Sequence, residues 1–267
     1  MLPASPSAPS PSAPSSSAPS PEPELTSVEA GRKTASEWET AAAGPRSQEA
    51  RLRLLLAAER LYAEHGLEAV SLRHICRAAG NGNNNAVQYH FGSERGLLEA
   101  IVAHRVPPLD RRRAELLATF RAQDQDRTVR GLFDVLMRPL AEEARRPGSH
   151  YVGFLGRFSS HPPARHPWWA GGRPAGPVGH EVSVAILDQL AEVPGPLRAL
   201  RLAHLVRLCL AALAGFGEVR AAGTGEPAFP GTGGDVSYEP YVTDLFDMAA
   251  AALTAPPSAP ARPGPAD

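Results

Sequence analysis

Cysteine is almost absent from this chain. Cys76 and Cys209 are the only two in 267 residues, too few for a disulfide framework or a four-ligand zinc site. A reducing cytoplasm is the simplest compartment for such a sequence. Lysine is scarcer still: Lys33 stands alone, so arginine carries nearly all the positive charge. That bias reflects composition as much as selection for phosphate binding. The formal net charge is -1, which removes any argument for nucleic acid from bulk electrostatics and leaves only local charge to consider. Long apolar runs are missing too. The longest, around Leu208 to Phe216, falls short of the roughly 20 residues that span a bilayer, so no transmembrane helix and no membrane partner are expected. The N-terminus has no basic segment followed by an apolar block and does not read as a secretory signal. There is no Gly-rich phosphate loop and no nucleophile elbow, and the nine histidines are scattered without metal spacing. An enzyme, a metal site and a cofactor are therefore not expected.

What is present divides the chain into four parts. Residues 1–46 form a Pro/Ser/Ala-rich tail, with eight Pro and eight Ser in the first 23 positions, unable to bury enough apolar surface to offset chain entropy. Residues 255–267 read the same way. Between them apolar residues recur with a 3.6-residue period and no sustained alternation of period two, which predicts an all-α protein. Leu54, Leu55, Ala58, Leu61 and Tyr62 make one helix face, behind a Ser47 cap and ahead of a stop at Gly66. Ser71 caps a short second helix and a third runs from about Asn83 to Tyr89. Ser93 caps a fourth, which Pro107-Pro108 is expected to break. The domain boundaries follow: 47–106 for the first helical domain and 107–254 for a second, with a long Pro/Gly-rich loop around Trp168-Trp169 and a Gly-rich loop near residues 222–236.

Two short helices joined by a tight Gly-containing turn have the dimensions of a helix-turn-helix, whose second helix enters the major groove. Asn83, Asn84, Asn85 and Gln88 line that second helix with planar amides, and such amides can bond adenine N6 and N7 together. A solvated Asn-rich loop is the competing reading of the same run. From Arg46 to Arg113 there are 11 Arg against seven acids, a local surplus of +4. The run AERLYAEHGLEAVSLRHICRAAG followed by NNNAVQYHFGSERGLLEAI resembles the N-terminal domain of the TetR family of bacterial transcriptional regulators, over about Arg51 to Ile101. The resemblance rests on a chain of landmarks: Tyr62, Gly66, Ser71, Ile75, Ala79-Gly80, Tyr89-His90-Phe91 and Leu97-Leu98. It implies that Arg73, Asn84, Asn85, Ala86 and Gln88 read bases, Ala86 through a thymine methyl. It implies that Ser71, Asn83, Tyr89 and His90 hold phosphates. Glu94 stands where that family often has a phosphate-binding Lys, and Arg95 is the candidate replacement.

For the second domain the resemblance implies ligand binding and dimerisation. Phe133, Met137, Tyr151, Phe154 and Phe158 are candidate walls of an effector pocket, with His150 and His161 to orient a polar group, although residues at such spacing are usually core. The segment Leu197 to Ala221 is apolar over most of its circumference, more than one core face requires. The expected dimer interface is Leu205, Cys209 and Ala212 with Val242, Leu245, Phe246 and Ala249 of the last helix. The sequence thus predicts a ligand-responsive repressor, homodimeric and cytoplasmic, whose partners are a palindromic duplex operator and a small-molecule effector. The alternative is a helical interaction or enzyme-like protein whose DNA module is degenerate.

Overall fold

The structure, a computed structural model, describes residues 44–159, 175–222 and 236–258. Among them the chain forms nine α-helices, one 3-10 turn (Gln125–Arg127) and no strand. The helices are α1 (Pro45–His65), α2 (Leu72–Ala78), α3 (Ala86–Phe91), α4 (Glu94–Ala122), α5 (Val129–Ala144), α6 (Tyr151–Ser159), α7 (Gly176–Gln189), α8 (Gly195–Ala222) and α9 (Tyr238–Thr254). The all-helical expectation holds. Residues 1–43 and 259–267 of the expected tails, His161, the Trp168-Trp169 loop and residues 223–235 of the Gly-rich loop lie outside the described residues, while Pro45 and Arg46 of the expected N-terminal tail are helical.

Local chemistry explains most boundaries. The Ser71 hydroxyl accepts from the His74 N–H (3.2 Å) at the start of α2, and Ser93 accepts from Gly96 N–H (3.0 Å) at the start of α4. Thr128 does the same for Gly131 (3.0 Å) ahead of α5. Each cap satisfies a donor with no partner inside its helix, worth about 1 kcal/mol. Gly92 closes α3 in the left-handed region at φ 71°, which costs a Cβ-bearing residue energy.

Three boundaries differ from expectation. Helix α1 starts at Pro45 with Gly44 as its cap, two residues before Ser47; proline is pre-set for a first helical position, where its missing N–H costs nothing. Helix α3 starts at Ala86 rather than Asn83. The side-chain oxygens of Asn81 and Asn83 each accept from the backbone N–H two residues on, both at 2.9 Å. Those turns compete with helix and win. Helix α4 does not break at Pro107-Pro108 but continues to Ala122. Both prolines are exposed, as are Ala103 and His104, whose carbonyls lose their helical donors, so water can serve those carbonyls. Buried Ile101 and Arg105 before the pair, and Leu109, Asp110, Arg113 and Leu117 after it, anchor the rod on both sides. The expected domain boundary at 106/107 therefore falls inside one helix.

One continuous apolar core runs from Leu54 to Leu253. Helix α1 lies against α6, α6 against α8, α4 against α5 and α7, and α9 against both α5 and α8. Phe133 of α5 meets Phe246 of α9 edge-on at 5.7 Å. Arg130 and Arg138 flank that Phe246 ring at 5.8 and 5.3 Å, and both bond Asp134 at 2.8 Å. The Tyr238 hydroxyl donates to the Ala141 carbonyl at 2.7 Å, closing the same seam. Gly195–Phe216 of α8 is long and apolar enough to cross a membrane by length and composition alone, with 22% of its most apolar 18-residue window buried in the protomer.

Candidate nucleic-acid interface

Helices α2 and α3 pack through Ile75 and Cys76 on one side and Ala86 and Val87 on the other, all buried. The Cys76 thiol donates to the Asn84 carbonyl at 3.6 Å, tying the turn to α2. The outward surface is polar. It carries Arg73 and Arg77 one turn apart on α2, Asn83, Asn84 and Asn85 in the turn, and Gln88 and Tyr89 on α3, all exposed. Tyr89 is 60% exposed, its ring edge-on to His90 at 4.9 Å. A large aromatic left so open, with its hydroxyl at the solvent edge, suits a contact surface rather than a core.

The remaining expected residues separate into different environments. Ala86 is 2% exposed: its methyl is spent on the core, so the expected thymine contact is corrected. Asn83 has its carbonyl oxygen committed to the Asn85 N–H, leaving its amide hydrogens outward. Ser71 is exposed but engaged as a cap. Arg95 pairs with Glu99 (2.8 Å) across an open helix face. Glu94 accepts from the hydroxyl of Tyr62 (2.9 Å), so the acid at the head of α4 serves to anchor a core tyrosine. Arg46 and Arg77 were missed by the sequence reading. Neither has an acidic partner among the described residues, nor has Arg73. The signal for Arg77 was its four-residue spacing from Arg73, which puts both on one face. Arg51 is held over the Phe91 ring at 5.0 Å.

Partial burial, and then the Arg51 charge, hold the His90 pKa below its ordinary 6.5; at His104, exposed along one side, partial desolvation of the ring and then Arg105 act in the same direction. Both imidazoles are therefore neutral at pH 7, and His90 can meet a phosphate as a neutral N–H donor. A depressed histidine pKa means the unfolded chain binds the proton more readily. Stability should fall as pH drops below about 6.5. Melting curves from pH 8 to 5.5 should show a smaller acid loss in a His90→Gln/His104→Gln double variant; an identical loss would assign it elsewhere.

Behind this head lies a buried ionic cluster. Arg105 of α4 donates to both carboxylate oxygens of Glu59 on α1, Nε at 2.7 Å and Nη2 at 2.8 Å, and its Nη1 donates to Glu143 of α5 at 3.1 Å. Glu59 also accepts from the His150 N–H (3.1 Å), and Glu143 from Ser149 Oγ (2.7 Å). Burial opposes the Arg105 charge, but the Glu59 hydrogen bonds and the two carboxylates outweigh it and raise its pKa. The cluster joins α1 to α4, α5 and the start of α6 at one point.

Of the residues expected to form a pocket, Tyr151, Phe154 and Phe158 stack along α6, with Tyr62 of α1 6.3 Å from Phe154. Phe133 is instead committed to the α5–α9 seam, Met137 is fully buried, and His150 is half-buried with its backbone on Glu59. Of the residues expected at a dimer interface, Cys209, Val242, Leu245, Phe246 and Ala249 are at most 3% exposed in the single protomer. They face its own core, which corrects their assignment; burial also pushes the Cys209 thiol pKa up to about 12. Leu205 and Ala212 are half-buried. The apolar surface left open on the same helices is another set: Leu197, Leu200 and Leu208 on α8 and Met248 on α9, exposed by 42, 52, 50 and 55%.

Compared with known proteins, residues 54–101 match the family described as bacterial regulatory proteins, tetR family. That stretch runs from the core of α1 through α2 and α3 into α4. No curated protein matches the chain.

Proposed function

We propose, from the match of residues 54–101 to the N-terminal helix-turn-helix of the tetR family of bacterial regulatory proteins, that the chain is a DNA-binding transcriptional regulator and, more specifically, a homodimeric, ligand-responsive repressor acting on a palindromic operator in the cytoplasm. The observation that carries the DNA reading is the outward face of α2 and α3: open amides at Asn84, Asn85 and Gln88, unpaired arginines at Arg73 and Arg77, and the open ring of Tyr89. Amides and guanidinium forks read base edges, while tyrosine and backbone donors hold phosphates and set register. Residues up to about 106 are the DNA-reading part and 107–254 the regulatory part.

Selection of an operator from randomised duplexes provides the test. Asn84→Ala or Gln88→Ala should cost about 1–3 kcal/mol on the selected operator and little on random DNA. Tyr89→Ala should weaken all duplexes together, because a phosphate contact positions without specifying. Equal losses on both DNAs for Gln88→Ala would remove base reading from this face.

Support for a dimer comes from α8. Leu197, Leu200, His204, Leu208 and Ala211 recur at three- and four-residue spacing on its exposed side, the pattern of a helix seam that lacks a partner within the protomer. Arg207 and Asp244, on the open sides of α8 and α9, have no ionic partner among the described residues, and a two-fold axis allows each to meet the other's copy. Such a dimer would present two reading heads to successive major grooves, about 34–36 Å apart. The effector is a small molecule held among α4, α5 and α6, and its signal reaches the head through the unbroken α4 rod and the Glu59–Arg105–Glu143 cluster.

A further inference from the structure

Arg113 and Tyr151, both buried in the second domain, carry more hydrogen-bond donors than the described residues supply acceptors. Arg113 of α4 is 2% exposed. A guanidinium carries five N–H groups. Here Nε donates to the Leu136 carbonyl at 3.1 Å and Nη1 to the Ala175 carbonyl at 2.7 Å, which leaves three without a hydrogen bond among the described residues. Both acceptors are neutral. The nearest carboxylate, Asp110, stands 3.8 Å from Nη1, because its two oxygens are taken by the N–H groups of Val178 (3.1 Å) and Gly179 (2.8 Å) at the start of α7. Among the described residues the arginine therefore has a loose counter-charge and no charged hydrogen-bond acceptor. Burial holds its pKa below the usual value, with Asp110 opposing.

Tyr151, the first residue of α6, is 1% exposed. Its backbone N–H reaches Ser149 Oγ, but its hydroxyl has no hydrogen-bond partner among the described residues. The other buried core tyrosines are served: Tyr62 by Glu94 and Tyr238 by the Ala141 carbonyl. After burial itself, Arg113 is the strongest influence on the Tyr151 hydroxyl, ahead of Glu59, Arg105 and Glu143. The two buried donor groups thus lie within one another's electrostatic field. The neighbouring carboxylates do not relieve them, since Glu59 and Glu143 are bonded to Arg105, Ser149 and the His150 N–H. Leaving a buried donor unmet costs about 1–3 kcal/mol, and a charged donor favours a charged acceptor.

Resting on the ligand-responsive reading above, we propose that the effector is an organic acid whose carboxylate is received by the free N–H groups of Arg113 and the Tyr151 hydroxyl. The apolar remainder of the acid lies along the aromatic row of α6, where Phe154 follows Tyr151 at a ring separation of 6.1 Å. The Glu59–Arg105–Glu143 cluster adjoins this position, so occupancy alters the field at the point where α1, α4 and α5 are tied. The specificity follows from valence: an amide of the same shape supplies a weaker, neutral acceptor and brings its own surplus N–H groups.

The test uses the full chain with tyrosine labelled at 13Cζ. Tyr151→Phe identifies the signal among five tyrosines and, removing only an unbonded hydroxyl, should fold as well as the parent. Acetate and benzoate, titrated at constant ionic strength, should shift the Tyr151 signal saturably, whereas acetamide and benzamide should bind about tenfold more weakly or less. Tyr151→Phe should weaken benzoate binding by about tenfold, read by calorimetry. No saturable shift with either acid, equal responses to acid and amide, or undiminished binding in Tyr151→Phe would overturn the proposal and leave water as the acceptor. Release of the selected operator is measured on the same samples. Acid binding at Tyr151 without operator release would keep the site and remove its regulatory role. Failure to bind any selected duplex would defeat the repressor reading while leaving the shift titration to judge the acid site.

Discussion

Arg105→Met should destabilise the protein by about 3–5 kcal/mol, the cost of leaving buried carboxylates without their cation. Glu59 is 1% and Glu143 7% exposed, so neither has ready access to water when Arg105 is gone. The arginine makes three of the cluster's hydrogen bonds to two helices at once, and its methionine isostere fills the volume without answering either charge. A Glu59→Leu/Arg105→Met double variant should recover much of that loss, because Glu143 keeps Ser149 and an ion pair to Arg146 at 3.3 Å, and two well-packed apolar side chains often match a buried ion pair. Denaturant titrations of the single and double variants provide the comparison. A cost below about 1 kcal/mol for Arg105→Met would place the cluster with exposed pairs such as Arg95–Glu99, which contribute little.

A charge on the outer face of α8 should split the proposed dimer and spare the fold, whereas a charge on the inner face of α9 should do the opposite. Leu208 is 50% exposed and Phe246 is 0% exposed. In a two-fold interface Leu208→Glu acts twice, forfeiting roughly 1 kcal/mol of apolar burial per copy and bringing two desolvated carboxylates near the axis. The dimer should weaken by at least about 3 kcal/mol, roughly a hundredfold, with an unchanged helical spectrum. Phe246→Glu should unfold the chain instead, since that ring is closed in by Phe133, Arg130 and Arg138. Sedimentation and circular dichroism separate the two effects. A Leu208→Glu protein that remains dimeric would move the interface off α8.

Much of the helix-turn-helix was legible because its signals are local. Ser71 and Ser93 announce caps, Gly66 a stop, and the apolar spacing from Leu54 to Tyr62 a single inward face. The start of α3 was misread because Asn83, counted as a helical amide, bonds its own backbone two residues on, a choice between two local structures that propensity alone leaves open. Pro107-Pro108 was misread because a proline pair usually ends a helix. What overrides that preference is long-range: Arg105 is fixed to α1 and α5, and Arg113 to the Leu136 and Ala175 carbonyls. The inner face of α9 was mistaken for a partner surface because periodicity marks an apolar face without saying which helix covers it. Here α5 and α8 of the same protomer cover it. The Arg113–Tyr151 pair was beyond the sequence altogether, being 38 residues apart and joined only by tertiary packing.

An uninterrupted α4 makes the reading head an instrument with a long arm. From Arg113 to Glu94 is 19 residues, or about 28 Å along the axis at 1.5 Å per residue. A rotation of about 5° at the inner end therefore carries the outer end about 2.5 Å. In the proposed dimer, displacements of that size, in opposite directions on two symmetry-related arms, are comparable to the reach of a hydrogen bond and large enough to take paired heads out of phase with their grooves. The arm's stiffness is uneven. The proline pair removes two backbone hydrogen bonds midway along it, on the solvent side, so compliance is concentrated between the grip at Arg105 and the grip at Arg113. Small substitutions in that short interval, remote from DNA, should alter the gain with which one end reports to the other.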